Sequence, residues 1–211
     1  MIPVKICGIT RAEDARLAAG LGAAALGFIF YPLSPRYIAP GRAKTIADTV
    51  GRHIRKVGVF VNSPPEKINA IVDEVGLDLV QLSGDEPPES CQGMAVPVIR
   101  TFHVGDDFDP AATHSYDVHA FLLDTHQAGS YGGTGRAFEW SLVNRDAFAR
   151  PLILSGGLTP ENILDGIKAI RPHAVDVNSG VEASPGVKDR ARMERLFAIL
   201  RNTEAGDEQV F

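Results

Sequence analysis

The chain has 211 residues, with 21 Lys+Arg against 26 Asp+Glu, a formal charge of −5 and 45% hydrophobic residues. Its 21 glycines and 14 prolines, about one residue in six, fall well short of a low-complexity or collagen-like share. A globule of this length buries roughly 70% of its unfolded surface without staples, and its mild acidity argues against nucleic acid or an anionic membrane as partner.

Cys7 and Cys91 match no metal spacing and suit a reduced, cytoplasmic compartment. Pro3, Lys5, Glu13 and Asp14 leave no room for a secretory apolar region. The most apolar run, Leu21 to Tyr31, spans 11 residues, holds two glycines and is too short to cross a bilayer.

In chain order, short β-branched runs recur at Val4–Cys7, Ala25–Phe30, Lys56–Val61, Asp78–Leu82, Val96–Thr101, Val118–Asp124, Pro151–Ser155 and Ala174–Asn178. Between them the spacing predicts helices at Arg11–Leu21, Pro64–Val75, Pro160–Ile170 and Lys188–Leu200, with shorter helical turns within Pro87–Met94, Asp109–Ser115 and Glu139–Asp146. Thr10 with Glu13 and Ser63 with Glu66 have capping-box spacing, and Thr159-Pro160-Glu161 reads as a helix start. Eight strand–helix units in 211 residues allow about 26 residues each. Alternating strands and helices imply parallel pairing. The expected fold is therefore α/β, a single (β/α)8 TIM barrel, over residues 1–200, followed by a polar, frayed tail at 201–211. The competing architecture is an open doubly wound sheet. Polar residues at alternate positions near strand ends (Lys5 and Cys7, Asp124, Asp176 and Asn178) favour a barrel opening onto a site. If it closes, Lys5 and Asp176 lie on neighbouring strands and form an interior ion pair.

Several of these residues are candidates for chemistry. Cys7, followed by Gly8, ends the first strand and is either a reactive thiol or a small buried hydrophobe; Cys91 reads as the latter. Asp124 ends an apolar strand, where a carboxylate is costly unless it is paired or faces a site. After it comes a glycine-rich stretch, Gly129–Gly135, that lacks the lysine of a P-loop and the third glycine of a dinucleotide fingerprint. Ser155-Gly156-Gly157-Leu158-Thr159 and Asn178-Ser179-Gly180 follow the last two strands, the loops in which such barrels commonly bind phosphate. Arg36 sits in a loop stiffened by Pro32 and Pro35, able to present its fork to a carboxylate or simply to solvent. The six histidines have no metal-binding spacing, so no protein-built metal site is expected.

The segments Val4-Lys5-Ile6-Cys7-Gly8-Ile9-Thr10, Gly27-Phe28-Ile29-Phe30, Ser34-Pro35-Arg36 and Val57-Gly58-Val59-Phe60-Val61-Asn62 resemble the ordered motifs of the phosphoribosylanthranilate isomerase family. Val80-Gln81-Leu82-Ser83-Gly84, Asp124 with Gly132-Gly133-Thr134-Gly135, Ser155-Gly156-Gly157-Leu158 and Val175 to Glu182 continue the series. The resemblance runs from about residue 4 to 190. It implies a cofactor-free Amadori rearrangement in tryptophan biosynthesis, by a monomer or homodimer acting on a small phosphosugar–anthranilate. It further implies Asp124 as general acid, Cys7 as general base, Arg36 facing the anthranilate carboxylate, and Gly156, Gly157, Ser179 and Gly180 holding the phosphate. Lys5 or strand-end amides are expected to lower the Cys7 pKa. Two positions depart from the pattern: Ser83, where the family usually has His, and Asn178, where Ser is commoner. Related barrels of the histidine pathway or indole-glycerol-phosphate synthesis would carry paired aspartates or Lys and Glu. A non-catalytic phosphosugar-binding protein would have no need of both Cys7 and Asp124.

Overall fold

A computed structural model describes residues 1–105, 108–125, 140, 143–203 and 210–211. Eight parallel strands, β1 (Val4–Ile6), β2 (Ala25–Ile29), β3 (Arg55–Phe60), β4 (Leu79–Leu82), β5 (Val98–Val104), β6 (Ala120–Thr125), β7 (Leu152–Leu154) and β8 (Ala174–Val177), close in sequence order into a barrel. Closure is made by β1 against β8, with Lys5 in register with Asp176. The open-sheet alternative is thereby excluded.

The helices are α1 (Ala12–Leu21), α2 (Pro40–Ala47), α3 (Pro65–Val75), α4 (Ile163–Ile170) and α5 (Arg190–Leu200). In α3 the buried residues Ile68, Ile71, Val72 and Val75 follow the three–four spacing that lays one stripe against the sheet. In α5 Met193, Leu196, Phe197 and Leu200 do the same. Units four and five use short 3-10 helices (Pro88–Cys91 and Pro110–Ser115) in place of full crossover helices. That shortening lets eight units fit this length. A further 3-10 turn, Arg145–Ala147, overlaps only the last two residues of the interval Glu139–Asp146 expected to be helical; Val143 and Asn144 before it are not helical, and 139, 141 and 142 lie outside the described residues. The Gly129–Gly135 loop lies outside the described residues.

Three local expectations are corrected. Neither capping box forms: the first residues flanking α1 and α3 are Arg11 and Pro64, without side-chain caps. The Thr10 hydroxyl instead donates to the Gly186 carbonyl, and the Ser63 hydroxyl turns back to the Val61 carbonyl. Helix α4 starts at Ile163, three residues beyond Pro160, because Asn162 bonds back to the Gly157 carbonyl and the Thr159 amide. Helix α2 was not anticipated.

The barrel interior is layered. Its lower layer is apolar: Ala25, Val57, Leu79, Ile99, Ala120, Leu122, Ile153 and Ala174. Val210, expected in a frayed tail, is instead fully buried under this layer with Phe211 packed against it, and its carbonyl faces His119 Nε2 at 3.1 Å. An apolar terminal pair is what a barrel mouth lined by Ile and Leu can seal. Above the apolar layer, inward positions become polar, and there the cavity opens.

Candidate active site

The pleat of each strand decides which side chains reach the cavity, since alternate residues face inward. From β1 these are Lys5 and then Cys7, just past the strand end. From β4 they are Gln81 and Ser83, from β5 Thr101 and His103, from β6 Asp124, and from β8 Asp176 and Asn178. A cavity of about 340 Å3 opens at the carboxyl ends of the strands. Cys7, Arg36, Asp124, Gly156, Gly157 and Ser179 all line it. Six of the seven residues expected at the site are therefore brought together. The seventh, Gly180, lies behind the wall, where a Cβ would meet the Leu158 carbonyl oxygen at 1.8 Å. Only glycine permits the loops after β7 and β8 to pack so closely.

One wall is apolar: Cys7, Ile29 and Val59 cluster with Tyr31, and Leu33 and Pro35 continue it. Arg36 stands at this wall, placed by the hydrogen bond from its amide to the Ser34 hydroxyl. Its Nε and Nη2 fork onto Glu182, at 2.7 Å for the shortest bond, which leaves Nη1 as the corner not engaged by that carboxylate. Lys188 also bonds Glu182, at 3.0 Å, and reaches Asn178 Oδ1 at 3.0 Å. The unusual Asn178 therefore has a partner inside this network. Burial would push the Glu182 carboxyl up, but Arg36 and Lys188 outweigh it and hold the group below the usual carboxylate range. Burial lowers Lys188 despite Glu182. At the opposite wall, Gly156 and Gly157 both have φ in the left-handed region, +84° and +64°. A Cβ on Gly156 would lie 2.6 Å from the Thr125 amide nitrogen.

Between these walls stand the two groups suited to moving protons. Cys7 and Asp124 lie three strands apart around the shorter arc of the barrel. Burial raises Asp124, and nearby His103 and the Thr125 amide pull it back only in part, so its carboxyl is biased toward the protonated form. Burial likewise raises the Cys7 thiol, with Lys5 opposing. The thiol is thus raised where a lowering was expected, because desolvation inside the barrel, joined by the Asp176 charge, exceeds the attraction of the Lys5 and Lys188 ammonium groups. The Lys5–Asp176 pair forms as expected, at 2.9 Å and buried. Burial works against the Lys5 charge, yet Asp176 and Cys7 raise its pKa above the ordinary lysine value.

Glu182, Lys188, Gln81 and His103 were not singled out from the sequence. Gln81 carried a signal, being an amide in an apolar strand at the parity of the inward face. Its Nε2 bonds Ser83 and Thr101, and its Oε1 is buried without a hydrogen-bond partner among the described residues. Cys91 is buried and free, as expected of a packing residue. Among the described residues no cluster of His, Cys, Asp and Glu could hold a metal, and no helix is long and apolar enough to cross a membrane.

Comparison with known proteins agrees with this geometry. The family model for N-(5′phosphoribosyl)anthranilate (PRA) isomerase matches residues 4–198. The N-(5′-phosphoribosyl)anthranilate isomerase of Syntrophus aciditrophicus (strain SB) is 46% identical over 202 residues, covering 95% of this chain and 88% of its own. The crystal structure of phosphoribosyl anthranilate isomerase from Thermotoga maritima superposes with a TM-score of 0.88 at 42% identity, covering 96% of this chain and all of that one. A phosphoribosyl anthranilate isomerase in complex with reduced 1-(o-carboxyphenylamino)-1-deoxyribulose 5-phosphate superposes at 0.84 with 41% identity, again over 96% and 100% of the two chains. With the match spanning barrel and site alike, the chain belongs to the phosphoribosylanthranilate isomerase family.

Proposed function

We propose that the cavity isomerises N-(5′-phosphoribosyl)anthranilate to 1-(2-carboxyphenylamino)-1-deoxyribulose 5-phosphate, with Asp124 as general acid and Cys7 as general base. The observation that carries these assignments is the meeting of both groups in one cavity, between an apolar, Arg36-bearing wall and a double-glycine loop. The apolar wall suits an aromatic ring and the Nη1 corner of Arg36 suits its carboxylate. The backbone at Gly156, Gly157 and Ser179 suits a phosphate at the far end, with Gly180 behind it letting the two loops pack. A relative of this chain holds a compound of the same three parts.

The chemistry follows from the two environments. The Asp124 carboxyl gives its proton to the ribose ring oxygen as the bond from C1′ to that oxygen breaks, and the anilino nitrogen forms an iminium. Its raised pKa favours the protonated form that a general acid needs. The Cys7 thiolate then removes the C2′ proton, electrons pass to nitrogen, and the enolamine tautomerises to the ketone. Burial disfavours that thiolate, and Lys5, anchored by Asp176, is the group placed to sustain it. The acid and base are the chain's own side chains, acting within a cytoplasmic monomer or homodimer.

Decay of anthranilate-type fluorescence on fresh substrate tests the assignment. Cys7→Ala and Asp124→Asn should each lower kcat by at least ~100-fold with folding, checked by circular dichroism, intact. Near-parental turnover in either folded variant removes that residue from its role.

A further inference from the structure

His103 faces the same cavity from β5 and stands in parallel register with Asp124 on β6. Adjacent strands lie about 4.8 Å apart, and both side chains point inward, so imidazole and carboxyl are immediate neighbours at the strand ends. Among the described residues, the rest of the surroundings is less able to answer a change of charge on Asp124. From β4, His103 faces the neutral Gln81 and Ser83, and its Nε2 lies 3.5 Å from the Ser83 carbonyl. The Ser83 hydroxyl is 2.9 Å from that of Thr101. From β8 and β1, Asp176 and Lys5 also act on Asp124, but they are committed to each other at 2.9 Å, and Cys7 stands beside Lys5.

We propose that His103 is the positioning and proton-return partner of Asp124, forming with it an acid dyad across β5 and β6. When the Asp124 O–H bond breaks and its proton goes to the ring oxygen, the carboxylate formed is met by the His103 imidazolium. The imidazolium then passes its proton to the carboxylate, regenerating the acid, and the neutral imidazole recovers a proton from water. No other co-reactant is needed. The geometry is supported by electrostatics: a cationic His103 is the largest influence opposing the burial of Asp124.

This inference rests on the acid role of Asp124, so its test separates the two. In the intact protein, His103→Gln retains a polar side chain but cannot titrate. It should lower kcat roughly 10- to 100-fold with KM within about threefold, and move the Asp124-dependent limb of the kcat–pH profile to higher pH. His103→Ala should lose as much and recover part of it on addition of free imidazole, which a packing role would not allow. Independently of turnover, the NMR resonances of the His103 ring at a fixed pH should move in Asp124→Asn, because the ring loses its neighbouring carboxyl. A His103→Gln profile that superimposes on the parent, or ring resonances unchanged by Asp124→Asn, overturns the dyad. If the ring resonances do respond while Asp124→Asn keeps full activity, the acid assignment fails and the dyad's catalytic role falls with it.

Discussion

Replacing Lys5 by Met tests how the polar layer of the barrel is held. Lys5 is 0% exposed and Asp176 5%, with their charged atoms 2.9 Å apart. Removing the ammonium strands a carboxylate in the barrel, and breaking a buried pair in this way costs about 3–5 kcal/mol. For a chain of this length each kcal/mol is worth about 2–4 °C, so Tm should fall by roughly 6–20 °C. The folded Lys5 pKa is raised, so its contribution is fully present below the unfolded value near ~10.4 and lost only as pH rises through the folded value. Melts at pH 7 therefore read the whole effect. Lys5→Met with Asp176→Leu should recover at least half the loss, because an apolar replacement leaves no orphan charge. A single variant melting within 2 °C of the parent would show that Asp176 is solvated in practice and refute the argument.

Other consequences follow from the same layers. Because burial raises the Cys7 thiol, its alkylation by iodoacetamide should be slow at pH 7 and climb above pH 9, and Lys5→Met should move the rise further up; a plateau already reached at pH 7 contradicts this. Gly27 faces Cys7, and an added Cβ would lie 2.7 Å from the Cys7 sulfur and 3.1 Å from Lys5 Cε. Gly27→Ala should therefore cut kcat tenfold or more with KM little changed. Deleting Val210 and Phe211 uncovers the lower apolar layer. Burial of a valine is worth about 1.5–3 kcal/mol, so Tm should drop by roughly 3–12 °C while the chemistry at the opposite end proceeds.

The strands were legible because each is short, β-branched and bounded by turn residues, and because both faces are buried, so a run such as Val57-Gly58-Val59-Phe60 needs no alternation to be read. Helix α2 was not, since Pro40-Gly41 reads as a turn and the segment buries only Ala43, Ile46 and Ala47. The capping boxes failed for a tertiary reason: Thr10 and Ser63 have capping spacing, but other carbonyls capture their hydroxyls. The position of Cys7 and Asp124 at strand ends was readable; their proton affinities were not. A thiol two residues from a lysine reads as lowered when only the charge is counted. In the barrel the same lysine is neutralised by Asp176, arriving from 171 residues away, and desolvation is left to dominate. The Arg36–Glu182–Lys188 network and the pairing of His103 with Asp124 depend in the same way on barrel closure and register. Sequence spacing locates polar groups along each strand, but which of them become neighbours, and so which charges are answered, is decided by the ring of strands as a whole.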